Sequence, residues 1–127
     1  MSFRFDPRAR LIFVRAFLYG PIGRVNLRLA LDTGSTRTVI DPARLDSVGI
    51  LPGKDSSKLK ITTAGGVSEA ALVVAPKLQA IGIEKIGFRV ASYRLPANAA
   101  FDGLLGLDFI RESQMTIDFV AGTLDIH

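Results

Sequence analysis

Apolar and polar residues alternate from residue 25 to residue 32, a pattern typical of a β-strand with one buried face. The two faces are Val25, Leu27, Leu29 and Leu31 on the apolar side, and Asn26, Arg28, Ala30 and Asp32 on the other. Asp32 therefore ends a buried strand. A carboxylate at this position predicts a specific role, since desolvating its charge is costly unless it is hydrogen-bonded or paired.

The rest of the chain shows further strand-like runs that glycine and proline interrupt. A break at residues 20–23 predicts a hairpin that ends in the Asp32 strand. Asp41 and Pro42 provide a cap and a first-turn proline for a short helix. The predicted strands are residues 11–17, 38–40, 58–63, 67–74, 78–81, 83–86, 88–93, 115–119 and 123–126, with short helices near 43–48 and within 106–112, and loops at 51–57 and 94–100. This pattern predicts an all-β fold.

The turn after Asp32 can support its carboxylate. Thr33 and Ser35 bring hydroxyl groups, and Gly34 allows a tight turn that exposes backbone N–H groups. A strand-end Asx-turn with no chemical role uses the same residue types. The turn by itself therefore leaves a structural and a catalytic interpretation open.

Two other segments accompany this turn. One is the glycine-tipped hairpin Thr62-Thr63-Ala64-Gly65-Gly66-Val67, and the other is Leu104-Leu105-Gly106-Leu107-Asp108-Phe109-Ile110, which leads into residues 115–119. With these elements in this order, residues 11–126 resemble the retropepsin-like aspartic proteases, especially the small bacterial members.

The resemblance implies a closed retropepsin-like acid-protease barrel with one short C-terminal helix and a flap hairpin. The site residues that it implies are a catalytic Asp32, an active-site turn of Thr33, Gly34 and Ser35, and a substrate-binding flap of Ala64, Gly65 and Gly66. It also implies that each subunit contributes one aspartate and that two subunits form a homodimer. An ordinary surface hairpin is the alternative interpretation of residues 64–66.

The length of the chain is consistent with a subunit that supplies one of the two aspartates of an active site. Its 127 residues predict a single domain over 1–127 and are too few for the two lobes of a pepsin-like enzyme. Two facing carboxylates that share a proton can activate a water and polarise the scissile carbonyl. We therefore expect an aspartic endopeptidase that hydrolyses an extended peptide or protein substrate, with no metal and no other cofactor.

Composition argues against other classes of protein. The chain has no cysteine and one histidine, His127, which disfavours thiol, serine-triad and zinc chemistry. The net charge is +4, but the sequence lacks the dense basic patches with interleaved aromatic residues that are typical of nucleic-acid-binding proteins. No signal peptide and no membrane-spanning segment is evident. We expect a soluble, cytoplasmic protein without a nucleic-acid or membrane partner.

Three other aspartates, Asp102, Asp108 and Asp118, lack the Asp-Thr-Gly context and are expected to have structural roles. Asp102 precedes a glycine and predicts a turn, whereas Asp108 lies at the start of a predicted helix, where a carboxylate is favourable. The sequence leaves open whether residues 1–10 form a loosely ordered arm. It also leaves open whether residues 123–126 pair across a dimer or form an intramolecular edge strand.

Two alternative functions fit the Asp32 turn. The first is a non-proteolytic module with the retropepsin fold, kept for dimerisation or peptide binding, in which Asp32 is too poorly aligned to act. The second is the D-x-G-x-T phosphate turn of sugar kinases and actin-like ATPases. The second needs a much longer chain and a second phosphate turn, neither of which is evident in the sequence.

Overall fold

The computed structural model describes residues 1–53, 56–63 and 66–127. The strands are β1 (Ser2–Arg4), β2 (Phe13–Gly20), β3 (Gly23–Leu31), β4 (Val39–Ile40), β5 (Lys58–Thr63), β6 (Gly66–Ala80), β7 (Ile83–Ser92), β8 (Gly103–Leu105), β9 (Met115–Asp118) and β10 (Thr123–Ile126). The helices are α1 (Pro42–Ser47) and α2 (Leu107–Ile110). Within this described part of the chain, neither helix has the length and apolar character needed to cross a membrane.

Six of these strands form a closed barrel in the order β2, β3, β8, β4, β7 and β6, because β6 pairs back onto β2. Alternating residues of β2 and β3 point inward, as their sequence pattern predicts, and Leu18, Leu27 and Leu29 are buried. Phe109 of α2 completes this core, with its ring 5.5 Å from the ring of Phe88. The prediction of an all-β fold that closes into a barrel is confirmed.

Two predicted strand boundaries are wrong, because glycine and proline do not end the strands there. Residues 66–80 form one 15-residue strand, and β7 continues through Gly87. The ladder between them skips Pro76 and Gly87, then resumes on both sides. Gly87 has a φ of 58°, which a glycine adopts at little cost. The first barrel strand also begins at Phe13, two residues later than predicted.

Helix α1 follows the sequence signal closely. Asp41 is its N-cap, and its Oδ1 accepts a hydrogen bond of 2.9 Å from the N–H of Ala43, while Pro42 occupies the first turn. Leu45 and Val48 bury the inner side of this segment against the core. The prediction of a capped short helix after residue 41 is confirmed.

A separate three-stranded sheet brings the two chain ends together, with β10 between β1 and β9. The backbones of Met1 and Ile126 exchange hydrogen bonds of 3.1 and 3.0 Å. Residues 123–126 thus pair within the chain on both sides. The expectation of an intramolecular edge strand is wrong, because β10 lies between two strands of its own chain. Pairing of this segment across a dimer stays a prediction.

Candidate active site

Asp32 lies directly after β3, at the point where the barrel wall opens into the turn. Its N–H donates to the carbonyl of Leu105 in β8 over 3.0 Å, and its carbonyl accepts from Ser35 N–H over 3.1 Å. The N–H of Gly34 donates to Asp32 Oδ1 over 2.9 Å, the one hydrogen bond that the described residues give this carboxylate. The backbone on both sides therefore fixes the position of Asp32, while Oδ2 stays available for a ligand.

The space between residue 34 and this carboxylate is tight and suits a glycine. A Cβ atom at residue 34 would lie 3.1 Å from Asp32 Oδ1, closer than most real contacts of that kind. Thr33 and Gly34 are exposed, and Asp32 is half-buried. The first part of the turn is thus accessible from the surface, next to the carboxylate of Asp32.

Ser35 has a different contact from the one expected. Its side chain is fully buried, and Oγ donates to the carbonyl of Arg37 over 2.7 Å, away from Asp32. The carbonyl of Ser35 accepts from Leu107 N–H over 2.9 Å. Ser35 therefore ties the turn to the start of α2, and its hydroxyl makes no hydrogen bond to the carboxylate.

A buried polar contact that sequence reasoning missed holds the other side of the turn. Thr38 is fully buried, and both its N–H and its Oγ1 donate to Asp108 Oδ1 over 2.8 Å. Thr38 Oγ1 in turn accepts from Gly106 N–H over 3.1 Å. A polar residue directly before the apolar pair 39–40 is the sequence signal that could have indicated this contact.

The other two aspartates make structural contacts, although Asp102 joins β3 to α1 and does not form the predicted turn. Asp102 accepts from the backbone N–H of Arg28 over 2.9 Å and forms a 3.0 Å ion pair with Arg44. Asp118 Oδ1 accepts from the N–H groups of Val120 and Ala121, both over 2.9 Å, and so closes the turn between β9 and β10. Among the described residues, no group of three or more histidine, cysteine, aspartate or glutamate side chains is placed to hold a metal ion.

A mainly apolar cavity of about 440 Å³ opens beside Asp32. Its lining residues are Leu11, Ala30, Leu31, Asp32, Val39, Ser68, Tyr93, Leu95, Pro96, Phe101 and Leu104. The hydroxyl groups of Ser68 and Tyr93 lie 3.2 Å apart. Apart from Asp32, these two hydroxyl groups are the polar side-chain groups of the lining, which suits a hydrophobic side chain held next to a carboxylate.

The hairpin of β5 and β6 contributes one residue, Ser68, to the lining of this cavity. Ile61 pairs with Ser68, and Ile61 and Ala70 are buried in one cluster with Val39 and Ala91. Gly66 is exposed with a φ of 115°, whereas Ala64 and Gly65 of the predicted flap tip lie outside the described residues. The described part of the hairpin thus stands next to Asp32.

Comparison with known proteins agrees with this geometry. A solved retropepsin-like aspartic protease from Rickettsia conorii has the same fold, with a TM-score of 0.66 over 98% of this chain and 85% of that one, at 16% identity. The profile of the family described as "Aspartyl protease" matches residues 20–109. The chain therefore belongs to the aspartyl protease family. No curated protein matches the sequence.

Proposed function

We propose that this protein is an aspartic endopeptidase in which a homodimer holds one water between two Asp32 carboxylates. The observation that carries the proposal is the Asp32 turn, which fixes the carboxylate through Gly34 and Leu105 and leaves it facing an apolar cavity. Membership of the aspartyl protease family supports the reaction class. The phosphate-turn alternative has no such support.

The chemistry needs two copies of the chain because each supplies one carboxylate of this kind. Two carboxylates at hydrogen-bond distance hold one proton between them, since like charges so close oppose a second ionisation. The ionised member accepts a proton from the water as it attacks the peptide carbonyl, and the protonated member donates to the carbonyl oxygen. Both groups then exchange roles as the leaving amine is protonated.

The cavity and the neighbouring hairpin support an extended peptide as the substrate. A hydrophobic side chain fits the space between Leu31, Leu104 and Phe101 next to Asp32. A hairpin standing over an extended chain offers backbone hydrogen bonds and excludes water from the scissile bond. Ala64, Gly65 and Gly66 are the proposed tip of this flap.

Replacing Asp32 with asparagine tests the proposal directly. Asp32→Asn keeps the size of the side chain and removes the proton acceptor, so cleavage of a diverse peptide library should fall by at least about 100-fold. Light scattering should show the same dimer for both proteins. Asp46→Asn is the matched control, because Asp46 is an exposed aspartate on α1 and should keep full activity.

Either of two results would contradict the proposal. Equal cleavage by wild-type protein and Asp32→Asn would mean that another group or a contaminant hydrolyses the peptides. No cleavage by a wild-type dimer over acid and neutral pH would favour the alternative of a non-proteolytic dimerisation or peptide-binding module.

A further inference from the structure

The outer surface of the β2–β3 hairpin carries a row of arginines, which we call the outer arginine face: Arg15, Arg24 and Arg28. Alternation places Arg15 on the solvent side of β2, and the other two on the solvent side of β3. The strand register sets Arg15 directly opposite Arg28 and Tyr19 opposite Arg24. All three arginines are exposed.

The positive charges of this face are not neutralised within the described part of the chain. Like charges directly across a strand pair are unfavourable, so the pairing of Arg15 with Arg28 is a local electrostatic conflict. None of the three arginines forms an ion pair with a described carboxylate, and the nearby Asp102 is paired with Arg44. An anion placed between Arg15 and Arg28 would relieve this repulsion.

Aromatic rings hold two of these guanidinium groups on the surface. Arg28 lies 3.9 Å from the centre of the Phe13 ring, and Arg24 lies 5.4 Å from that of Phe17. Arg28 and Arg15 also border one shallow cavity of about 360 Å³, which Asp102, the partner of Arg44, lines as well. Two arginines thus line one concave surface whose single carboxylate, Asp102, is already paired with Arg44, so a net positive charge is left for a carboxylate ligand.

One end of the outer arginine face lies near the Asp32 cavity. Arg28, Ala30 and Asp32 alternate along one side of the same chain segment, so Arg28 lies about 13 Å from Asp32 at about 3.3 Å per residue. Ala30 lines the Asp32 cavity. Phe101 also lines it, and its ring lies 5.7 Å from that of Phe13, the ring beneath Arg28.

From this placement we infer that the outer arginine face binds an acidic segment of the polypeptide substrate. The inference rests on the proposed function, because it makes the outer arginine face a binding site for the substrate polypeptide that is cleaved at Asp32. An extended polypeptide covers the distance from Asp32 to Arg28 in about four residues. Each subunit of a dimer carries one such face, so glutamates or aspartates are favoured about four residues from the scissile bond on both sides.

A single-stranded nucleic acid fits this surface less well. Binding of that kind uses exposed aromatic rings on which bases stack. Here Arg28 covers the ring of Phe13, and Lys77 lies 4.1 Å from the centre of the Tyr19 ring. The guanidinium groups remain accessible, whereas these ring faces do not, which favours carboxylates as the ligand.

The test measures binding by the Asp32→Asn protein, which holds a peptide without cleaving it. The probes are two fluorescent peptides with the same apolar core, one flanked by glutamates and the other by glutamines. We expect the glutamate peptide to bind roughly three- to tenfold more tightly at low salt, and the preference to shrink as salt screens it. Adding Arg15→Gln and Arg28→Gln together should abolish this preference.

Two further variants show whether charge is the cause. Arg15→Lys with Arg28→Lys keeps the charges and should keep much of the preference, and thermal unfolding checks that each variant folds. Arg89→Gln is the matched control, because Arg89 is an exposed arginine on β7 opposite Val74 and should leave the preference unchanged. Equal binding of the two peptides, or a preference that survives the double glutamine variant, would overturn the inference.

Two more measurements separate this inference from its rivals. An oligothymidylate that binds more tightly than the glutamate peptide, and loses affinity in the double glutamine variant, would overturn it in favour of a nucleic-acid partner. Cleavage of the two peptides by wild-type protein tests the proposed function separately. Cleavage without a binding preference refutes the acidic segment alone, whereas a binding preference without cleavage refutes the endopeptidase and supports the acidic segment.

Discussion

Thr38 is a buried residue that holds the segment after the Asp32 turn in place, six positions further along the chain. Its hydroxyl donates to Asp108 and accepts from Gly106, and its backbone N–H also donates to Asp108. These contacts join the turn to the segment that begins α2. We therefore regard Thr38 as a positioning residue for the candidate site.

Replacing Thr38 with valine should weaken both stability and activity. Thr38→Val keeps the shape of the side chain but leaves Gly106 N–H without its acceptor, and the free energy of unfolding should fall by about 1–3 kcal/mol. Urea denaturation measures this change, and the kcat for peptide cleavage should also fall. Thr36→Val is the control, because Thr36 is exposed and belongs to the same segment. Equal unfolding midpoints for the two variants would contradict this role of Thr38.

At the residue scale, the sequence indicated which residues form the turn but not all of their partners. The Asp-Thr-Gly-Ser pattern is local, so Asp32 and Gly34 could be placed from the sequence alone. The hydroxyl of Ser35 bonds to Arg37, and Thr38 meets an aspartate 70 positions away in the chain. Such partners depend on how distant segments pack, and a single sequence contains no direct signal for that.

At the scale of elements, the short strand β8 decides how the barrel closes beside the site. It runs parallel to β3 and antiparallel to β4, between the strand that ends at Asp32 and the one that follows Thr38. Gly103 allows these backbones to approach, because a Cβ there would lie 2.0 Å from the carbonyl oxygen of Val39. The glycine of this strand is thus a steric requirement.

Replacing Gly103 with alanine should therefore destabilise the barrel more than replacing a glycine that has free space around it. Gly103→Ala forces the β8 and β4 backbones apart, and we expect a loss of about 3 kcal/mol or more in the free energy of unfolding. Gly87→Ala is the comparison. A Cβ atom at residue 87 would have no neighbour within 4 Å, and only the positive φ of 58° opposes the change, at about 1–2 kcal/mol. Calorimetry on both proteins should show Gly103→Ala as the less stable one.

The limits of the strand predictions have the same physical origin. Glycine and proline signal a break only when the neighbouring strands do not hold the backbone in place. Pro76 and Gly87 face each other across the ladder, so both irregularities fall at one site and the pairing resumes beyond them. By contrast, the cap at Asp41 and the strand at residues 123–126 follow from local residues and were predicted correctly.

At the scale of the whole molecule, the proposed site is complete only when two chains meet. Mixing wild-type subunits with Asp32→Asn subunits tests this requirement. After exchange of an equal mixture, about a quarter of the dimers keep two aspartates, so the activity per wild-type chain should fall about twofold. Peptide hydrolysis before and after exchange measures the change, with Asp46→Asn subunits as the control. Activity that stays proportional to the wild-type chains would show that one subunit suffices.

The hydrogen bonds between Met1 and Ile126 have a consequence for anything attached to the protein. A polypeptide fused before residue 1 and another fused after residue 127 would leave the domain at the same edge of its three-stranded sheet. The fold would then keep the two fused segments close together. Their effective concentration relative to each other would be high, whatever their own affinity. Conversely, a short covalent bridge between the two ends would make the chain circular without moving either strand.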